Sequence, residues 1–158
     1  MCTCGFCGRE LSDSYCSYCS MKLQPENIQK DGNRKNHVIR VFPSPEDYLK
    51  STVELIQFST IELLYLLHEA RTFRTEVYHY RILGHKAISQ SNNSDMKALQ
   101  NKFFHEYADA TRKVWVIENI IKDRIGYFPQ KISQEFLTSY QEKIKQSQSK
   151  KMIIKQSK

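Results

Sequence analysis

Glycine and proline are scarce, nine residues of 158 between them, and there is one tryptophan. That scarcity argues against a loop-rich or all-β chain, which needs frequent turns. Long apolar runs are missing too. The most apolar stretch, Leu55–Leu67, has nine apolar residues in 13 and is interrupted by Gln57 and Glu62. A membrane span needs about 20, so a buried core helix and no membrane partner are expected. The N-terminus lacks the basic-then-apolar pattern of a secretory signal, so a cytoplasmic, reducing setting is expected. No phosphate-cradling glycine loop and no nucleophile motif occurs. Charge is plentiful: 24 Lys and Arg against 17 Asp and Glu, a formal +7. With 40% apolar residues, the chain can bury a core of ordinary domain size.

Cysteine is absent after residue 19. All five stand at 2, 4, 7, 16 and 19. Cys4-Gly-Phe-Cys7 and Cys16-Ser-Tyr-Cys19 are two CxxC pairs eight residues apart. Such a pair forms a tight knuckle, and two knuckles converge four thiolates on one tetrahedral ion. An internal repeat at an offset of 12 supports this. Cys4–Leu11 and Cys16–Leu23 share the frame C-x-aromatic-C-small-x-x-L. Gly8 and Ser20 follow the knuckles, and Leu11 and Leu23 can pack over the site. Redox dithiols, disulfides and an iron–sulfur cluster are the other uses of four such thiols. Cys2 is left over, as a free N-terminal thiol or an alternative ligand.

Residues 4–23 resemble the short bacterial zinc ribbon with two knuckles, C-x-x-C-G-x-x-L repeated, with Ser20 in place of the second glycine. The resemblance implies one structural zinc per chain, held by Cys4, Cys7, Cys16 and Cys19. Four thiolates close the coordination sphere and leave no place for a catalytic water. A non-enzymatic role is therefore expected.

The remainder reads as helix. Gln24–Asn36 is polar, with Pro25 and Gly32, and His37–Phe42 is one short strand or an extended segment lying on the helices, so residues 24–44 are expected to form a linker or extended segment. Ser44-Pro45-Glu46-Asp47 is a helix start. Apolar residues at mostly 3–4 spacing from Leu49 to Tyr80 predict one helix of about 40 residues, with a break near Gly84. Ser89–Ser94 is a turn. Met96 to Ile125 steps by three and four, and Gly126 and Pro129 stop it. Ile132-Ser133 opens a third helix, with a staple to Leu137. The expected fold is mostly α: a zinc ribbon (1–23), a long antiparallel hairpin with a third, shorter helix (45–146), and a basic, disordered tail (147–158).

Charge separates two functional readings. Residues 45–126 have 11 basic and 11 acidic side chains, whereas residues 127–158 have seven and two. A neutral bundle favours a protein partner, so the expectation is a regulator or adaptor, and a helical-hairpin dimer is one form it can take. The alternative is a DNA- or RNA-binding regulator. Arg71, Arg74, Tyr78, Arg81 and His85 step by 3, 4, 3 and 4 along one helix face, mixing cations with aromatics. Lys150 and Lys151 would add phosphate contacts. On the structural reading, those arginines instead pair with acids near Asp95 and Glu106. Glu76-Val-Tyr-His79 has the E-x-x-H spacing of di-iron bundles, but no second such motif accompanies it.

Overall fold

The computed structural model describes residues 1–37, 42–90, 94–147 and 150–155. The expected extended segment at 37–42 therefore lies largely outside the described residues. The chain folds as two compact units, Met1–Val38 with Ser139–Lys158, and Ile39–Thr138.

The first unit is built from four short strands, β1 (Cys2–Cys4), β2 (Tyr15–Cys16), β3 (Met21–Lys22) and β4 (Ile28–Lys30). β1 pairs antiparallel with β4, Cys4 opposite Ile28, and β2 with β3, Cys16 opposite Met21. Cys4, Cys16 and Leu23 form its small core, with Leu11 and Ile28 packed against them. The two leucines of the repeat thus meet over the knuckles. The linker expected from residue 24 is corrected here. A 3-10 turn at Pro25–Asn27 sends the chain back, and β4 closes on β1. The segment is polar in composition, yet Ile28 supplies a core contact and the backbone supplies the pairing.

The tail also departs from expectation. Met152 donates its N–H to the Gly32 carbonyl at 2.8 Å. Gly8 and Gly32 both have positive φ, +77° and +68°, and a Cβ on Gly8 would lie 2.8 Å from the Met152 Cβ. Two left-handed glycines let the tail backbone approach closely. With Met1, Tyr18 and others, Met152, Ile153 and Ile154 line a cavity of about 840 Å³. Residues 148–149 and 156–158 lie outside the described residues.

The second unit is helical. Its helices are α1 (Thr52–Leu55), α2 (Thr60–Gln90) and α3 (Ser94–Ile125). α4 (Gln134–Ser147) follows, its residues from Ser139 grouping with the first unit. α2 and α3 form the hairpin, with Tyr80 stacked on Phe103 and Tyr78 near Tyr107. Leu63, Leu64, Leu66 and Leu67 meet Val114, Ile117 and Ile121 in a core at most 1% exposed.

The single long helix expected from Ser44 is broken twice. A 3-10 helix (Pro45–Leu49), α1 and α2 follow one another. Each is opened by a serine with an acid three residues on. Ser44, Ser51 and Ser59 donate their N–H groups to Asp47, Glu54 and Glu62 at 2.9, 2.9 and 2.6 Å. Three capping boxes mean three starts. The break expected near Gly84 does not occur: α2 runs through it, and Phe103 of α3 lies 3.5 Å from where a Cβ would stand. Basic groups of α3 hold the short helices. Lys113 donates to the Lys50 carbonyl at 2.7 Å, and Arg124 to those of Phe58 and Ile56 at 2.7 and 2.6 Å. They occupy carbonyls that a helix end leaves without partners. Gly126, φ +83°, ends α3. Ser133 accepts from the Phe136 N–H at the start of α4, with Ile132 and Leu137 both buried.

Candidate metal centre

Each CxxC pair is carried on a turn that aims both sulfurs inward. Cys4 ends β1 and Cys16 ends β2, so pairing with β4 and β3 fixes one thiol of each knuckle. Gly8 donates its N–H to the Cys4 carbonyl at 2.8 Å and turns left-handed at φ +77°. Ser20, the equivalent position of the repeat, takes the same region at φ +53°. The second knuckle therefore keeps the turn without the glycine, at the steric cost an L side chain meets there.

Cys4 and Cys19 Sγ are 3.9 Å apart, Cys7 and Cys16 Sγ 3.5 Å. All four lie within 4.8 Å of one another, the one such cluster of His, Cys, Asp or Glu ligand atoms among the described residues. A disulfide requires about 2.05 Å. Four thiolates about 2.3 Å from a central ion stand about 3.8 Å apart at the tetrahedron edge. The spacing thus fits one metal ion, is consistent with zinc, and fits no disulfide. Cys2 is exposed and lies outside the cluster.

Electrostatics within the cluster points the same way. The Cys19 N–H donates to Cys16 Sγ at 3.4 Å, and that bond, with the Cys7 and Cys4 thiols, brings Cys16 down to about 7 against burial. Burial pushes Cys19 up to about 12, helped by the thiols of Cys7, Cys16 and Cys4. The Arg9 N–H and, less strongly, the Cys19 thiol pull Cys7 down, but burial and the Cys16 and Cys4 thiols outweigh them and the net direction is up. Of Cys7, Cys16 and Cys19, only Cys16 is brought towards ionisation. A cation at the cluster's centre is what would let all four ionise.

The other candidate residues differ in their surroundings. Arg71 is engaged inside its own unit. It pairs with Glu118 at 2.7 Å, both side chains under a fifth exposed, and donates to the Pro129 and Gln130 carbonyls at 2.8 and 3.1 Å. Its expected partners near Asp95 and Glu106 are replaced by Glu118. Arg81 lies over the rings of Phe104 and Tyr107, 5.1 and 5.4 Å from their centroids. Tyr78, Arg81 and His85 border a hollow of about 390 Å³ with Ile82 and Lys86, and Arg74 is not among its lining residues. Lys150 lines a hollow of the first unit, while Lys151 is exposed. Glu76 and His79 are both exposed and join no metal cluster among the described residues.

Several residues that matter to these surfaces carry little signal in the sequence. Phe6, Arg34 and Lys35 gather beside the first knuckle, and Met152 is brought to Gly8. The Met152–Ile154 triplet is the one hint of the docked tail. No helix among the described residues is long and apolar enough to cross a membrane. Comparison with protein families, curated proteins and solved structures finds no match to this chain.

Proposed function

We propose that the chain is a non-enzymatic adaptor: a zinc-stapled ribbon carried with a helical hairpin that takes a protein partner. One observation carries the reading. Beyond Val77 on α2 and Ala110 on α3, towards the turn, no described residue is buried. The same stretch leaves Tyr80, Leu83 and Phe104 58, 61 and 49% exposed. Half-exposed aromatic and aliphatic side chains along a two-helix arm suit a partner's apolar face. The unit is nearly neutral, thirteen basic against twelve acidic side chains in residues 39–138, which suits a protein better than a polyanion.

The alternative, nucleic-acid binding at this arm, rests on the basic hollow of Tyr78, Arg81, His85 and Lys86. It is weakened by Arg71, whose guanidinium is already used by Glu118. A photo-crosslinking residue at Tyr80 or Leu83, introduced in the native host, tests the two. The adaptor reading expects one discrete protein adduct, lost with Leu83→Ser and Phe104→Ser. Nucleic-acid adducts that vanish steeply with salt, or no adduct at all, would refute it.

A further inference from the structure

The positive charge of the molecule is not spread evenly. Met1–Val38 and Ser139–Lys158 together contain eleven basic and five acidic side chains, +6 of the total +7. In sequence the ribbon and the tail are far apart. Folding the tail onto the ribbon concentrates them in one unit.

Within that unit lies a hollow of about 610 Å³, lined by Phe6, Arg34, Lys35, His37, Lys150 and Met152 among others. None of its described lining residues is acidic. Phe6 is the aromatic of the first knuckle and stays 55% exposed, with the Lys35 ammonium 5.8 Å from its ring centroid. The β1–Cys7 turn that holds the cysteines also fixes Phe6. Lys150 is placed by the tail latch: Met152, two residues on, bonds Gly32 and packs at Gly8. Cations thus come from two distant segments to line one hollow with an exposed aromatic ring.

We infer that this hollow of the ribbon unit, built by the docked tail, is a binding site for single-stranded nucleic acid. Phosphates meet Arg34, Lys35 and Lys150, and a base stacks on Phe6. Its dimensions suit a nucleotide-sized ligand. Basic side chains tracking a backbone beside an exposed aromatic are the two elements such recognition needs. A simple phosphate would use the cations and leave the ring idle. The inference concerns the ribbon unit and stands apart from the protein-binding arm, so either can fail without the other.

The test uses the full-length, metal-loaded protein with a labelled short oligouridylate, and inorganic polyphosphate as the comparison ligand. Wild type should bind both, with affinity for the oligonucleotide falling steeply between about 50 and 200 mM salt. Arg34→Gln/Lys35→Gln/Lys150→Gln should flatten the log–log salt slope by about 2, at about 0.7 per lost contact. Lys150→Gln alone should lower it by about 0.7, and lies in an exposed segment where it cannot unfold the ribbon. Phe6→Leu should weaken the oligonucleotide about five- to a hundredfold and leave polyphosphate unchanged. Met152→Pro keeps every charge but removes the N–H that bonds the Gly32 carbonyl, so it releases the tail and should weaken the oligonucleotide severalfold. Metal content and helical circular dichroism confirm that each variant is folded. Three results overturn the inference: no oligonucleotide binding at low salt, no effect of Phe6→Leu, or full affinity in Met152→Pro. The last would reduce the tail to a loose polycation.

Discussion

Loading the metal site should release protons, and the number follows from the thiols. At pH 7, Cys19, at about 12, holds its proton, and so does Cys7, whose pKa stands above the ordinary 9. Cys16, at about 7, holds half of one. Binding as thiolates therefore expels about 2.5 protons from these three residues. The sign is fixed: protons compete with the ion, so apparent affinity rises with pH. Near pH 7 these three residues alone should make each unit of acidification weaken binding at least about 300-fold, or about 3.4 kcal/mol at 1.36 kcal/mol per proton per unit. The share of these three residues should fall by about one between pH 6 and pH 8 as Cys16 titrates, and the total count should never drop below it. Calorimetry of zinc binding to the apoprotein, in buffers of different ionisation enthalpy, reads the count as a slope. Cys19→Ser should lower it by about one. Release of fewer than one proton at pH 7 would refute the reasoning, because the thiols would then already be ionised or would not be ligands.

Cys7→Ser should lose the metal and melt the ribbon, while helical circular dichroism persists because the leucine–isoleucine core of α2 and α3 needs no ion. Arg71→Gln should destabilise the helical unit by about 2–4 kcal/mol in urea unfolding, since it leaves the mostly buried Glu118 unpaired and frees two carbonyls. Arg71→Lys should recover only part, as an ammonium cannot fork, and a loss under 1 kcal/mol would make the arginine available to a ligand after all. Ser20→Gly should stabilise the metal-loaded ribbon by about 0.5–1 kcal/mol, because its φ of +53° suits glycine; chelator-driven metal loss should slow. Gly84→Ala should raise the melting temperature, worth about 0.5–1 kcal/mol, because a Cβ there meets Phe103 at an ordinary 3.5 Å; a fall would mark Gly84 as a needed break.

The metal ligands are legible in the sequence because a knuckle is local: two residues of spacing determine it, and the repeat doubles the signal. α3 is legible for the same reason, its stripe running unbroken to a glycine stop. The three starts, that of α2 included, are legible in principle, since each serine has its acid three residues on, but continuous apolar spacing hides them. Non-local facts are a different matter. Phe103 stacks on Tyr80, so acids near the start of α3 face the last turns of α2, and Arg71 finds Glu118 far beyond them. Register along a hairpin requires the position of its turn, which composition does not give. The docked tail depends on two glycine turns and one backbone bond, Met152 to Gly32. None of these has a periodicity to detect. β4 is obscured in the same way, as three residues in a polar stretch.

The thinning of the core along the hairpin sets a gradient of local opening. Amides around Ile61–Ala70 can exchange with solvent only when the leucine layers separate, so they report the global stability of the unit. Amides beyond Val77 and before Ala110 sit over side chains already half in water, so parting the two helices there exposes little more and costs little. Hydrogen exchange should therefore advance from the turn end of the arm towards Leu63 like a zipper. A protease should nick the arm first and leave the base folded. A bound partner should push that front back towards the turn, making the exchange boundary itself a footprint of where binding happens.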